Sequence, residues 1–142
     1  MCWLRLLFLL VLVPLAACAV NKTYWVDTAG PYQLNTGDVV RVTVYGDKDL
    51  TNTYKIDDSG AISFPLVGAI HVAGVTTDAA AKRLSAALAN GFMRNPNVAV
   101  EVDTYRPFFI QGEVTTSGQF AYVYGMTVRA AISTAGGFKD DA

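Results

Sequence analysis

The chain has 142 residues, of which 52% are apolar, with 11 Lys and Arg against 12 Asp and Glu and a single His. This length suits one domain or two small ones. The charge is near neutral and contains no basic run, so a nucleic-acid partner bound through its phosphates is not expected.

The first 20 residues differ from the rest of the chain because only Arg5 and Pro14 are not apolar. Spanning a bilayer needs about 20 consecutive apolar residues, and Pro14 breaks this run. A charged start, an apolar centre and small residues before position 18 predict a secretory signal peptide over residues 1–17. A retained membrane anchor is the alternative.

The residues around position 18 resemble a bacterial lipobox, in which cleavage leaves an acylated Cys at the new N-terminus. The matching residues are Leu15, Ala16, Ala17 and Cys18. The only other cysteine is Cys2, so no disulfide or thiolate metal site can form after position 18. The resemblance implies cleavage after Ala17 and a lipid anchor on Cys18. An ordinary signal peptide followed by a coincidental Cys is the alternative.

Residues 18–31 lack periodicity and are expected to form a tether, and regular patterning follows. Val40, Val42 and Val44 alternate with polar or aromatic residues, which predicts a half-buried strand over residues 39–45. We expect a polar connection over 46–52 and a strand over 53–56. A turn over 57–60 would join that strand in a hairpin to a strand over 61–64. Pro65 stops this ladder, and residues 68–72 predict another short strand.

A helix is predicted over residues 79–92, with capping side chains at positions 76–78. Leu84, Leu88 and Phe92 would form its apolar stripe. Residues 97–105 return to period two and predict a strand with alternate valines inward. Residues 32–105 are therefore predicted to form a domain of the α+β class, with one helix on a small mixed β-sheet.

Residues 106–142 predict a second, smaller unit. Strand candidates lie over 108–112 and 119–123, and Thr127 would cap a short helix that ends before Gly136 and Gly137. Two strands and one helix make a poor independent core. We therefore expect this unit to be incomplete, with the remainder supplied by a longer natural chain or by a neighbouring subunit.

No catalytic residue, metal site or cofactor is predicted. His71 lies on a short strand with no recognisable nucleophile or orienting partner. Asp57 and Asp58 are neighbours on a turn, unlike the separated carboxyls of glycosidases. Asp47 and Asp49 have the first spacing of a calcium loop but lack its later ligands. We therefore expect His71 to be a surface or packed strand residue, and Asp57 and Asp58 to be turn residues.

The aromatic residues have two interpretations. They either pack on strands, as their β-propensity predicts, or present ring faces and polar tips to sugars or to a partner. The residues concerned are Tyr24, Trp25, Tyr32, Tyr45, Tyr54, Tyr105, Tyr122 and Tyr124.

The motifs, taken in order, resemble those of the bacterial outer-membrane polysaccharide export lipoproteins of the Wza type. A Tyr-x-Leu-x-x-Gly-Asp signature lies at residues 32–38, an Asp-x-x-Gly-x-Ile turn at 57–62, and an Asn-Pro-x-Val-x-Val segment at 95–100. The positions that carry the resemblance are Tyr32, Gly37, Asp38, Asp57, Gly60, Pro65, Gly68, Gly74, Pro96, Gly112, Gly136 and Gly137.

This resemblance implies a polysaccharide export domain over 32–105 and the start of a soluble-ligand-binding β-grasp domain over 106–142. It implies a non-enzymatic subunit of a channel for capsular or extracellular polysaccharide. Its partners would be further copies in a ring, an inner-membrane co-polymerase and the polymer passing through. Ala19 in place of Asp implies the outer membrane, with the protein facing the periplasm. A periplasmic lipoprotein that binds glycan or scaffolds the envelope is the alternative.

Members that pierce the membrane do so with a C-terminal amphipathic helix, and these 142 residues contain no such segment. The resemblance therefore implies either a truncated sequence or one of the shorter members of the family.

Overall fold

The computed structural model describes residues 30–139. The strands and helices of this part of the chain are β1 (Val39–Val44), β2 (Asp47–Lys55), β3 (Ala61–Phe64), β4 (Gly68–His71), α1 (Thr77–Ala89), β5 (Val98–Thr104), β6 (Phe108–Ile110), β7 (Gly118–Phe120) and α2 (Val128–Thr134).

The central sheet has three antiparallel strands in the order β2-β1-β5. Val40, Val42 and Val44 of β1 are buried, as their alternation predicts, and Val42 lies opposite Val100 of β5. Helix α1 covers β5, and together they enclose the core. The predicted strands over 39–45 and 97–105 are confirmed to within a residue at each end.

Strand β2 corrects the prediction of a polar connection over 46–52. Residues 47–55 form one continuous strand along β1, in which only Leu50 is buried. An edge strand forms its backbone ladder whatever its side chains are, and here most of them face solvent. The apolar alternation that identifies β1 is therefore missing from β2.

The predicted hairpin of residues 53–56 with 61–64 is also wrong in its pairing. The turn forms, with the Asp57 N–H donating to the Ala61 carbonyl at 2.9 Å. However, β3 pairs antiparallel with β4, with Ala61 opposite His71. The turn therefore passes the chain from the central sheet, which contains β2, to the β3-β4 sheet. Ile62 and Phe64 of β3 are buried in the core that the two sheets share.

Helix α1 begins at Thr77 behind the N-cap Thr76, whose hydroxyl accepts from the Ala79 N–H. Leu84 and Leu88 are fully buried as predicted, but Phe92 is 51% exposed. The helix ends at Ala89, so residue 92 no longer follows the helical period, and the predicted stripe stops one turn early.

The last part of the described chain contains the β6-β7 hairpin and α2, all close to their predicted positions. Thr127 caps α2, as predicted, but no α2 residue is buried. The α+β class is confirmed. Within residues 32–105 the strands pair antiparallel in two small sheets where one small mixed sheet was predicted, and β6-β7 forms a third sheet in the second unit.

Candidate functional site

The side chain of Asp38 is completely buried just before β1 and is the centre of a hydrogen-bond network. Its Oδ2 accepts from the Tyr32 hydroxyl and from the Asn35 N–H, each at 2.8 Å, and its Oδ1 accepts from the Arg106 N–H at 2.7 Å. Burying a carboxylate is costly unless its oxygens are satisfied, and here three separate donors satisfy them. The two ends of the predicted signature, Tyr32 and Asp38, therefore bind each other directly.

Leu34 and Gly37, which lie between Tyr32 and Asp38, attach the same segment to the rest of the fold. Leu34 is fully buried, and its N–H and carbonyl bond to Val75 and Gly74, respectively, at 2.9 and 2.8 Å. Gly37 has a φ of +92°, a conformation that favours glycine, and its N–H donates to the Ile56 carbonyl. The signature is thus a folded unit that attaches the incoming chain to the core.

Arg106 completes this network, although sequence reasoning did not single it out. Its guanidinium lies 3.6 Å from Oδ2 of Asp38 and 5.8 Å from the centre of the Tyr32 ring. The sequence could have drawn attention to Arg106 only as a cationic residue that directly follows the last predicted strand of the first unit. Its partner, 68 positions earlier, was not evident from spacing.

Four tyrosines meet at this network and form what we call the tyrosine cluster: Tyr32, Tyr105, Tyr122 and Tyr124. The Tyr32 ring lies edge-on to Tyr105 at 4.8 Å and to Tyr124 at 6.0 Å between centroids, and Tyr122 stacks on Tyr32 at 6.3 Å. Edge-to-face pairs of this kind are favourable. The cluster joins the first unit to the segment that follows β7.

Burial raises the pKa of the Tyr32 hydroxyl, and its hydrogen bond to Asp38 and the charge of that carboxylate raise the pKa further. The hydroxyl therefore stays protonated at neutral pH and remains a donor to Asp38.

A cleft of about 500 Å³ opens beside the tyrosine cluster. Tyr32, Tyr105 and Tyr124 line it together with the acidic residues Asp78 and Glu101. Thr77, at the start of α1, is also part of the lining. Tyr32, Tyr105 and Tyr124 thus pack against other rings of the cluster although none of them lies in a strand, and presentation of these residues to a sugar or a partner stays a prediction.

The predicted turn residues Asp57 and Gly60 lie away from the cleft. Asp57 accepts from the hydroxyl and N–H of Ser59 and from the Ala61 N–H, and these bonds lower the pKa of its carboxyl. Gly60 has a φ of +78°, and a Cβ there would lie 2.6 Å from the Cβ of Ala73. Asp57 therefore stabilises a tight turn, while Asp58 is exposed beside it.

The other motif positions of the first unit are distributed around the core. Pro65 is followed by Leu66 at a φ of +69° in the β3-β4 turn, which Gly68 closes at +78°. Gly74 bonds to Leu34, and the Pro96 carbonyl accepts from the Ser85 hydroxyl of α1 at 2.8 Å.

In the second unit, Gly112, Gly136 and Gly137 all have positive φ angles. The Thr115 hydroxyl donates to the Gly136 carbonyl at 3.1 Å, and a Cβ at Gly136 would press on Thr115 at the same distance. These glycines let the chain leave α2 and return beside Val114.

The structure places His71 on β4, exposed, with its carbonyl accepting from Arg83. Asp47 accepts from the N–H groups of Asp49 and Leu50 in a local turn. Within residues 30–139, no group of His, Cys, Asp and Glu side chains could hold a metal ion.

The predicted signal and lipidation residues Leu15, Ala16, Ala17 and Cys18 lie outside the described residues, as do Tyr24 and Trp25. In the part that is described, no helix has the length and apolar character needed to cross a membrane.

The fold and the signature define a small α+β protein in which the Tyr32 hydroxyl donates a hydrogen bond to the buried Asp38. Residues 26–103 match the family model described as polysaccharide biosynthesis/export protein, and the chain belongs to this family.

Two relatives are similar over part of their length. The exopolysaccharide production protein ExoF of Rhizobium meliloti is 33% identical over 63% of this chain, and the EPS I polysaccharide export outer membrane protein EpsA of Ralstonia solanacearum is 31% identical over 78%. This chain spans only 22% and 36% of their respective lengths.

Proposed function

We propose that this chain is a lipid-anchored subunit of an outer-membrane channel that exports capsular or extracellular polysaccharide. The observation that carries the proposal is the family match over residues 26–103, within which the signature residues form one hydrogen-bonded unit. The Ralstonia relative, a polysaccharide export outer membrane protein by name, adds support for export and for the outer membrane.

The chain would act by assembly and passage of the polymer, without catalysis. Strands β2 and β5 are the two edges of the central sheet. Unpaired edges favour association, and a ring of copies covers them without a larger core. An inner-membrane co-polymerase would deliver the polymer to this ring.

The proposed organisation is a signal peptide over 1–17, a tether over 18–31, an export domain over 32–105 and a partial β-grasp domain over 106–142. Acylated Cys18 would hold the protein on the periplasmic face of the outer membrane. More than one acyl chain makes such an anchor stable.

A clean deletion tests the proposed export role. Surface polysaccharide should disappear while the precursor continues to be made, and the wild-type gene should restore it. Normal surface polysaccharide in the deletion strain contradicts the proposal.

The anchor has a matched pair of variants. Cys18→Ser should abolish acylation, detected by mass spectrometry of the mature N-terminus, and should release the protein from the outer membrane. Cys2→Ser changes the other cysteine, in the segment predicted to be removed, and should leave acylation intact. An unacylated wild-type Cys18 refutes the anchor while leaving the export proposal to the deletion test.

A further inference from the structure

We infer that the cleft beside the tyrosine cluster binds a short, uncharged segment of a glycan chain. The inference rests on the proposed export function, because that function brings a polysaccharide to the protein. It goes further by naming a binding site and the charge of the sugar that the site accepts.

The lining of the cleft suits a sugar, which combines apolar C–H faces with a rim of hydroxyls. Tyr32, Tyr105 and Tyr124 supply ring surface, and Thr77 supplies a hydroxyl. Its volume of about 500 Å³ lies in the range of small-ligand sites, and its lining mixes tyrosines and valines with threonines and two acidic residues.

The charge of the cleft selects among glycans. Its charged lining residues are Asp78 and Glu101, whose carboxylates accept hydrogen bonds from sugar hydroxyls and repel uronate, sulfate or phosphate groups. Two cations lie nearby: Arg41, opposite Glu101 in the sheet, bonds to Asp103, and the Arg106 guanidinium lies 3.6 Å from Oδ2 of Asp38 without a hydrogen bond to it. The site therefore discriminates against acidic sugars.

The rings are also held in place before any ligand arrives. Tyr32 is fixed by its bond to Asp38 and by its edge contact with Tyr105, and the Tyr124 hydroxyl donates to the Gly30 carbonyl at 3.3 Å. Such preorganisation lowers the entropic cost of binding.

The test is an NMR titration of the full chain in detergent micelles with three neutral tetrasaccharides, built from glucose, mannose and galactose. At least one should shift the resonances of Thr77, Tyr105 and Tyr124 in a saturable way. Trigalacturonate, the acidic probe, should bind at least tenfold more weakly. No shift with any neutral probe, or equal binding of trigalacturonate, overturns the inference.

Variants separate the cleft from general surface effects. Tyr124→Ala removes a ring that is 46% exposed and should weaken binding by about fivefold. Tyr45→Ala removes an exposed tyrosine at the end of β1, outside the cleft lining, and should change affinity less than twofold. Equal losses in both variants refute the site.

Glu101→Gln provides a second variant that does not depend on ring packing. It keeps a hydrogen-bonding side chain on an exposed strand position but removes the charge, so it should narrow the preference for neutral over acidic sugar. An unchanged preference contradicts the role assigned to this carboxylate. Loss of surface polysaccharide on deletion, combined with no sugar binding in vitro, would sink the cleft inference alone.

Discussion

The backbone N–H of Arg106 donates to Oδ1 of Asp38 at 2.7 Å, joining residues 68 positions apart. The other oxygen of the same carboxylate accepts from Tyr32 and Asn35. One buried side chain thus holds the incoming segment, the start of β1 and the exit from β5. Because buried acceptors are costly to leave unpaired, each of these donors contributes to stability.

Tyr32→Phe keeps the ring but removes the hydroxyl that donates to Asp38. We expect the free energy of unfolding to fall by about 1–3 kcal/mol, since a buried carboxylate loses a partner. Urea denaturation measures the change. Tyr45→Phe, at a tyrosine that is 60% exposed, is the control and should leave the midpoint unchanged. Equal midpoints for wild type and Tyr32→Phe contradict the prediction.

Asp57→Asn tests the turn between β2 and β3 through its pH dependence. The folded pKa of Asp57 is lowered by bonds from Ser59 and Ala61, so its stabilising effect is present above the unfolded pKa of about 3.9. That effect is lost as the pH falls through the folded pKa. Wild type should therefore be more stable than Asp57→Asn at neutral pH, and the difference should shrink in acid.

Asp58→Asn, at the exposed neighbouring position, serves as the control for Asp57. Thermal unfolding is followed from about pH 7 down to about pH 2, well below the unfolded pKa of about 3.9. A constant difference between wild type and Asp57→Asn across this range would refute the assigned role.

Gly60→Ala and Gly68→Ala form a matched pair because both glycines have a φ of +78°. At Gly68 a Cβ meets open space, so only the backbone cost of about 1–2 kcal/mol applies. At Gly60 the Cβ also collides with Ala73, which adds roughly 1–3 kcal/mol. Chemical denaturation of both variants should rank Gly60→Ala as the less stable, and the opposite order is incompatible with this packing.

Leu88→Ala and Phe92→Ala test where the buried face of α1 ends. Leu88 is fully buried, and its truncation should cost about 2–5 kcal/mol. Phe92 lies beyond the helix and is half exposed, so its truncation should cost less than about 0.5 kcal/mol. If both variants lose a similar amount of unfolding free energy, the buried face extends to Phe92, as the spacing of these residues predicts.

Local patterns were enough to predict β1, β5 and the start of α1. Val40 and Val42 alternate inward, and Thr76 is a capping residue next to a helical period. The first part of β2, residues 47–52, escaped prediction because most of its side chains face solvent and leave no apolar period, whereas residues 53–55 fall in a predicted strand. The separation of the β3-β4 sheet from the central sheet depends on β3 pairing forward with β4, which the turn at Asp57 does not determine.

The candidate site was predictable only in part. The signature from Tyr32 to Asp38 is a continuous sequence motif, so it could be recognised without knowledge of the tertiary structure. Its completion by Arg106 and the meeting of Tyr32 with Tyr105 and Tyr124 arise from tertiary packing across distant segments. No periodicity in the sequence records such contacts.

The attachment of Gly30 has a mechanical consequence. If the proposed lipid anchor on Cys18 holds the chain, a pull from the membrane reaches Gly30 along the backbone. The first points to carry that load are the Tyr124 bond at Gly30 and then the paired backbone bonds of Leu34 with Gly74 and Val75. Tension would therefore reach the tyrosine cluster before the central sheet, so the proposed tether and the cleft would lie on one force path.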